Sequence, residues 1–579
     1  MPALTKKKKL FLGITAVVIL LLIVIGNIVA GRYKKIILNV LPKAVAAGTD
    51  SLYHISVQGA SLNILTRSIT LRGIHIWADS DIVARSIADS TAKPMYVDVN
   101  IPRLKVSSIM WDKLKGGEGF SCGLLTIVRP AIAIYKTDSA LIKKDTSHRT
   151  EQNKEFTANT LKVMNADIRY IFLNGDDSNI VSFNKCDAEL SNWQYGLSYL
   201  RDTSKFLMAD HGEIIVGNFS YASPSSMYNY SCTNLRFSSQ ENKITARDLR
   251  IRLKGTTAEF YRKVDMQKEI YDLNFPTIEF DKIDRNKLKQ EHILTSSAVY
   301  LNHSSMEILL DRRHPANTIS KLGKFPNQVV RNMKLPIYIG EIKINKGSVA
   351  YAEISNKTGK KATIHFDNID GTISNVTNIP AYLEKDSIAI AHLNAKFNKY
   401  TDVDALFRFS MSDPKGAFSL DARLEGMQSY QVSEQTKAFS LLDVKSLNMK
   451  SLDLKISGNE YAAGGYFTML YSNLGIRILK NETNQVGEKK TKGFLSFIAN
   501  NMILYSGNPM PGDDVRHIKT QVKRDELKSF FNLIWQNILE GVRETTIRDM
   551  QVIDWIKKND QQKNGLFSPE KKRKKKRGG

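Results

Sequence analysis

Beyond residue 47 the chain alternates apolar and polar side chains with a period of two, in short segments parted by turn residues. This is the pattern of strands buried on one face. Helical periodicity is scarce. A short connector at 36–47 and two covering helices, at 285–296 and 433–442, are the candidates before the C-terminus. The alternation also repeats, at an offset of about 175 to 183 residues. The segment 69–76, ITLRGIHI, aligns with 244–251, ITARDLRI, and 99–106, VNIPRLKV, aligns with 273–280, LNFPTIEF. Further on, 161–168, LKVMNADI, aligns with 342–349, IKINKGSV, and 183–192, FNKCDAELSN, with 366–375, FDNIDGTISN.

The copies share their breaks in parity. Ile69 and Leu71 give way to Ile74 and Ile76, just as Ile244 and Ala246 give way to Leu249 and Ile251. An extra residue turns everything after it to the other face, so keeping one apolar face predicts a bulge at this step in both copies. Pro102 and Pro276 fall at matching places and lack the N–H that a ladder needs, so their strands are predicted to bend or to lie at an edge. A third, partial echo at 447–456, LNMKSLDLKI, extends the sheet.

The predicted fold is mainly β: a long curled antiparallel sheet, a groove built from internal repeats, between an N-terminal transmembrane helix and a C-terminal amphipathic helix. With so few helices to cover it, the apolar face must close on itself or meet a ligand as long as the sheet. Candidate residues lining such a groove are Ile74, Ile76, Leu104, Val106, Leu249, Ile251, Ile278 and Phe280.

The run at 10–30, LFLGITAVVILLLIVIGNIVA, carries no formal charge and as a helix would be about 30 Å long, the thickness of a bilayer core. It is longer than the apolar part of a cleaved signal and lacks a good cleavage site, which predicts an uncleaved signal anchor. Lys6 to Lys9 stand against Arg32, Lys34 and Lys35 across it, a weak preference for a cytosolic N-terminus and a body on the far side. Near the other end Leu527, Phe530, Phe531, Ile534, Ile538, Leu539 and Val542 fall on one helical stripe, with Trp535 beside it. Such a helix either plugs the end of the sheet or rests on a membrane or a partner, where Trp535 suits an interface.

The expected layout is a signal anchor and connector (1–47), two β-groove repeats (48–243 and 244–430), a C-terminal β region (431–480), a linker (481–522), the amphipathic helix (523–558) and a disordered basic tail (559–579). That tail carries Lys571, Lys572, Arg573, Lys574, Lys575, Lys576 and Arg577.

With 42% hydrophobic and 9% aromatic residues the composition is that of a folded chain, which excludes wholesale disorder. Of the net charge of +25, Lys6–Lys9 supplies four and Lys571–Arg577 seven, leaving +14 on a mildly basic body. Such a charge calls for an anionic partner, and the apolar run favours membrane phospholipid over nucleic acid. Cys122, Cys186 and Cys232 are widely spaced with no C-x-x-C pair, so neither a disulfide framework nor a zinc knuckle is expected, while one disulfide stays open.

Catalytic signals are weak. Gly119-Phe-Ser-Cys-Gly123 fits the nucleophile elbow G-x-S-x-G, but residues 124–136, LLTIVRPAIAIYK, read as strand rather than the required helix, so Ser121 is a turn residue before a strand. The segment 487–493, GEKKTKG, lacks the spacing of a P-loop and reads as an exposed basic loop. The histidines show no H-E-x-x-H, and Arg312-Arg313-His314 reads as a solvated turn. No catalytic residue, metal, cofactor or small-molecule substrate is expected. Sequons at Asn218, Asn229, Asn302, Asn356, Asn375 and Asn481 would matter only in a eukaryotic secretory compartment.

The assembly resembles the AsmA-like family of Gram-negative envelope proteins. The resemblance rests on 52–55, LYHI, leading into 69–76, and on 446–458, SLNMKSLDLKISG, with 462–474, AAGGYFTMLYSNL, a strand pair with Gly464 and Gly465 at the turn into the next strand. It covers most of the chain through degenerate patterns, offers no catalytic residue to carry over, and does not include the basic tail. It implies a single pass through the inner membrane, a periplasmic body, and support of outer-membrane biogenesis or integrity by conducting lipids along an apolar groove, with an envelope protein as a possible partner. The competing reading is a structural scaffold whose β body closes on itself and whose terminal helix binds a partner.

Overall fold

The computed structural model describes residues 41–548 apart from 44, 48, 90–94, 111–118, 138–154, 175–176, 197–206, 357, 441 and 480–503. The apolar run at 10–30, the basic loop at 487–493, residues 549–558 and the tail therefore lie outside the described residues. Among the described residues no helix is long and apolar enough to cross a membrane.

The protein is mainly β, with twenty-one strands among the described residues. Short helices interrupt them: α1 (Ser80–Ala88), α2 (Thr257–Val264), α3 (Arg285–Gln290), α4 (Pro326–Arg331), α5 (Pro380–Leu383), α6 (Ser433–Ser440) and α7 (Phe530–Thr546). The two covering helices expected at 285–296 and 433–442 are α3 and α6, each shorter than its apolar pattern. The chain divides into two compact units, Met1–Thr256 with Asp272–Ser304 and Leu335–Ile339, and Thr257–Tyr271 with Ser305–Lys334 and Gly340–Gly579.

The first unit carries β1 (Tyr53–Asn63), β2 (Ser68–Ala78), β3 (Met95–Ile109), β4 (Gly119–Val128), β5 (Ala131–Lys136), β6 (Glu155–Asn174), β7 (Asp177–Tyr195), β8 (His211–Ala222), β9 (Tyr228–Ser238), β10 (Lys243–Leu253), most of β11 (Ile270–Asp281), and β12 (Leu294–Asn302). They pair in chain order, antiparallel, with one exception. Strands β4 and β5 share β3 between them and both run parallel to β6. Parallel pairs make the sheet mixed rather than wholly antiparallel as expected.

At the aligned offset the strands pair in matching registers. Ile69 pairs with Val106, Leu71 with Leu104, Ile74 with Ile101 and Ile76 with Val99. At the offset positions Ile244 pairs with Phe280, Ala246 with Ile278, Leu249 with Phe275 and Ile251 with Leu273. Leu104 faces Ile127 as Ile278 faces Leu301. Ile132 runs beside Ile168, and in the second unit Met306 of β13 (Ser305–Asp311) runs beside Val349 of β14 (Ile337–Ile354), again in parallel.

The parity breaks have a different cause from the expected bulge. Between β2 and β3, and between β10 and β11, the pairing continues in one register on both sides of the break, and against β9 the register of β10 shifts between Thr245 and Arg250 and then returns, so no net residue is inserted. Instead Gly73 (φ +58°) and Asp248 (φ +48°) adopt left-handed conformations. The registers set them opposite Pro102 and Pro276, which have no N–H to lose. Both strands turn over together. Because β3 and β11 each have partners on both sides, the prolines mark kinks within the sheet rather than an edge.

The seam continues along the chain: Arg129 and His303 (φ +50° and +54°), Asn165 and Lys346 (+52° and +51°), and Lys185 and Asn368 (+54° and +50°) are equivalent pairs. A backbone N–H freed at a kink needs a partner. Asp187 Oδ1 accepts from Asn165 N, and Asp370 Oδ1 from Lys346 N, each at 2.9 Å, so the same staple serves both copies.

In the second unit β15 (Lys361–Thr377), β16 (Ile388–Phe397), β17 (Thr401–Ser410), β18 (Phe418–Gln428), β19 (Leu442–Gly458), β20 (Ala462–Ile478) and β21 (Ile518–Lys523) pair antiparallel in order. The core gathers Phe325, Phe397, Phe418, Leu420, Leu454, Phe467 and Phe530. The segment expected as a linker at 481–522 is in part structural, since β21 adds itself to β20. Gly464 and Gly465 lie within β20 rather than at a turn, which falls at 459–461.

Candidate functional site

The seam of kinks gives the first unit a single apolar face. Through successive registers Val163, Ala188, Ile214, Phe237, Ile244 and Phe280 form one row across β6 to β11. A second row runs Ile168, Phe183, Phe219 and Cys232. A third runs Tyr170, Val181, Tyr221, Tyr230, Ile251 and Leu273. Aromatic rings tile part of it, Phe183 against Phe219 at 5.4 Å between centroids and Tyr221 against Tyr230 at 5.5 Å. The opposite face is charged and self-paired, with Lys162–Glu189 at 3.0 Å and Lys243–Glu279 at 2.8 Å. Arg236 also bonds both Glu213 and Glu241 on that face.

Burial changes along this face. Under the first copy it is a packed core: Ile74 and Leu104 are 0% exposed, and Ile76 and Val106 are 1% and 0%. Leu41 and Val45 from the helical residues before β1, together with Trp193 and Ala209, belong to the same cluster. These four candidate groove residues therefore fill a closed interior and do not line an open face. The equivalent residues of the second copy, Leu249, Ile251, Ile278 and Phe280, are only half-buried, as are Val163, Ile168, Phe183, Ile214, Phe219 and Tyr230. From β6 onward the apolar face therefore carries half-buried side chains beside buried ones, Ala166, Cys186, Val216 and Cys232 among them. The residues on β6 to β9 carried a legible period-two signal, but only registration with β10 and β11 puts them on the same face.

The C-terminal stripe is split by the structure. Helix α7 starts at Phe530, so Leu527 precedes it, and the helix packs against β20 and β21 of its own unit. Its buried side is Phe530, Leu533, Ile534, Asn537, Gly541 and Thr545, with Ile538 and Val542 partly buried beside them. Asn537 bonds Thr520 at 3.0 Å. Phe531, Trp535 and Leu539 point away, 60%, 40% and 42% exposed. The period identified the helix and part of its inner face, Phe530, Ile534, Ile538 and Val542, but not Asn537 and Gly541, where an amide and a glycine face the sheet.

One polar cluster stands out in the second unit. Asp443, on β19, is 2% exposed and meets Lys445 at 2.6 Å, Arg477 at 2.7 Å and Lys437 at 3.2 Å, with Ser433 Oγ donating at 3.0 Å. Burial by itself would raise this carboxyl, but the hydrogen bonds from Lys445, Ser433, Lys437 and Arg477 outweigh it and hold it far below the ordinary carboxylate range.

The weaker chemical signals take these positions. Ser121 is buried within β4, a strand and not a strand-to-helix turn, and accepts from Thr157 Oγ1 at 2.7 Å. Arg312-Arg313-His314 is a packed turn and not a solvated one: Arg313 bonds buried Asp311 through both oxygens, His314 stacks on Tyr261 at 4.4 Å, and Gln267 donates to two of its carbonyls. Cys122, Cys186 and Cys232 are free thiols, all buried. Burial pushes Cys122 up to about 12 and, with Asp167 and Asp187 nearby, Cys186 up to about 11. Among the described residues no group of three or more His, Cys, Asp or Glu could hold a metal ion.

Comparison with protein-family profiles and with characterised proteins finds no match.

Proposed function

We propose that this is a membrane-anchored envelope protein of AsmA-like type, in which the half-exposed apolar face of β6 to β11 holds or conducts lipid acyl chains in support of the outer membrane. The observation that carries this reading is the continuity of that face, where two apolar rows cross all six strands from β6 to β11 with every member half-buried. Acyl chains laid against it leave water at about 0.8 kcal/mol per CH2 without any specific chemistry. The charged outer face, with its ion pairs already made, has no such demand. The apolar run at 10–30 would place the body beside the inner membrane, in the periplasm.

A photo-crosslinking residue placed at Phe183, Ile251 or Ile278 in the full chain should capture phospholipid, and one at Arg169 or Ser231, on the outer face, should not. Equal capture at both sets of positions, or none at either, would sink the reading.

The scaffold reading has its own support. The face of the first copy is filled by side chains, and aromatic rings pack across the core of the second unit, with Phe325, Phe418 and Phe530 meeting edge to face at 4.8–5.9 Å. A body that is filled at β1 to β5 and carries no lipid at β6 to β11 would be a closed support, with α7 as its partner-binding element.

A further inference from the structure

Helix α7 has two apolar sides, and only one is used by the fold. Phe530, Leu533 and Ile534 are buried against the sheet, while Phe531, Trp535 and Leu539 recur at every fourth position on the outside and remain 60%, 40% and 42% exposed. Four residues is close to one helical turn, so these three side chains make one stripe along the helix. Large apolar residues grouped on an outer surface, unlike single exposed ones, mark a contact with something else. The stripe has an indole at its centre, a ring that favours the boundary between hydrocarbon and water. The sequence beyond the helix then supplies a run of seven cations, Lys571 to Arg577, about thirty residues after Leu539. An apolar stripe and a polybasic segment are the two signals that together hold a protein on an anionic bilayer, where either by itself binds weakly.

We infer that the outer stripe of α7 docks on an anionic lipid surface, Phe531, Trp535 and Leu539 entering the interface, with the basic run further along the sequence adding attraction to headgroup charge. This surface is separate from the acyl-binding face of the first unit. It would let the C-terminal part of the chain engage a bilayer independently of the anchor run.

The three native cysteines are buried and their thiols pushed up, so a single cysteine at 531 can be labelled selectively. The full-length Phe531→Cys protein, held in nanodiscs of neutral phosphatidylcholine and carrying an environment-sensitive fluorophore, is mixed with separate vesicles. Vesicles containing phosphatidylglycerol should shift its emission to the blue, and vesicles of phosphatidylcholine alone should do so much less. Adding Trp535→Ser and Leu539→Ser should weaken the response by at least roughly tenfold, as loss of buried apolar area requires. Removing 571–577 should weaken it mainly at low salt. A shift that needs only higher protein concentration would show instead that the stripe binds a second copy, and no shift with any vesicle would overturn the inference. Lipid capture at Ile251 and Ile278 is read in a different unit, so either proposal can fail while the other stands.

Discussion

Residues in the left-handed region are what keep one face of this sheet apolar. Asn165, Asp248, His303 and Asn368 belong to the types enriched at positive φ, whereas Arg129, Lys185 and Lys346 do not, so the conformations of these three are imposed by the strands around them. The carboxylates of Asp187 and Asp370 help hold that geometry by taking the freed N–H groups. Asp443 works at the same scale with opposite surroundings, one buried acid serving three cations. Its folded carboxyl is depressed, so the stability it contributes is present above the unfolded value of 3.8 and is lost as pH falls through the folded one. Asp443→Asn should therefore cost about 1–3 kcal/mol at neutral pH. The gap from the native protein in urea unfolding should narrow progressively below about pH 4, and a gap that widened on acidification would contradict this assignment.

At the scale of elements, α7 shows how a helix reaches a sheet. A Cβ added at Gly541 would lie 2.2 Å from Cγ of Phe467, and Phe467 is 0% exposed, so the ring has nowhere to go. Gly541→Ala should destabilise the second unit by about 1–3 kcal/mol, although alanine is the better helix former, and thermal unfolding would measure it. Substituting Glu544, exposed on the same helix, with alanine should change little. The sequence stripe missed this because hydrophobic period weights side-chain size, and the tightest contact is made by the residue with no side chain.

For the whole molecule, the duplication offers its own control. Leu104 and Ile278 occupy equivalent positions, facing Ile127 and Leu301 in matching registers, yet Leu104 is 0% exposed and Ile278 is half-buried. Leu104→Asp should place a carboxylate in a closed core and prevent stable folding, since an unpaired buried charge costs several kcal/mol. Ile278→Asp should leave the protein folded and reduce only lipid capture. Equal loss of fold from both, read by circular dichroism, would mean that the second face is as closed as the first.

Strand content, the offset of the duplication, the kinks at Pro102 and Pro276 and the existence of a C-terminal helix were all legible in the sequence by itself, because each depends on local period, on a missing N–H or on a pattern that occurs twice. The tertiary structure decided the rest. It showed that the parity breaks are left-handed residues, Gly73 in β2 and Asp248 in β10, rather than inserted residues, since that distinction lies in φ and register. It also closed the face over Ile74, Ile76, Leu104 and Val106 and left the equivalent Leu249, Ile251, Ile278 and Phe280 half-buried. Matching sequences make matching strands, but whether a face is covered depends on what the rest of the chain brings over it, and Leu41 and Val45 come to this core from the helical residues before β1, a segment that no alternation could assign to it.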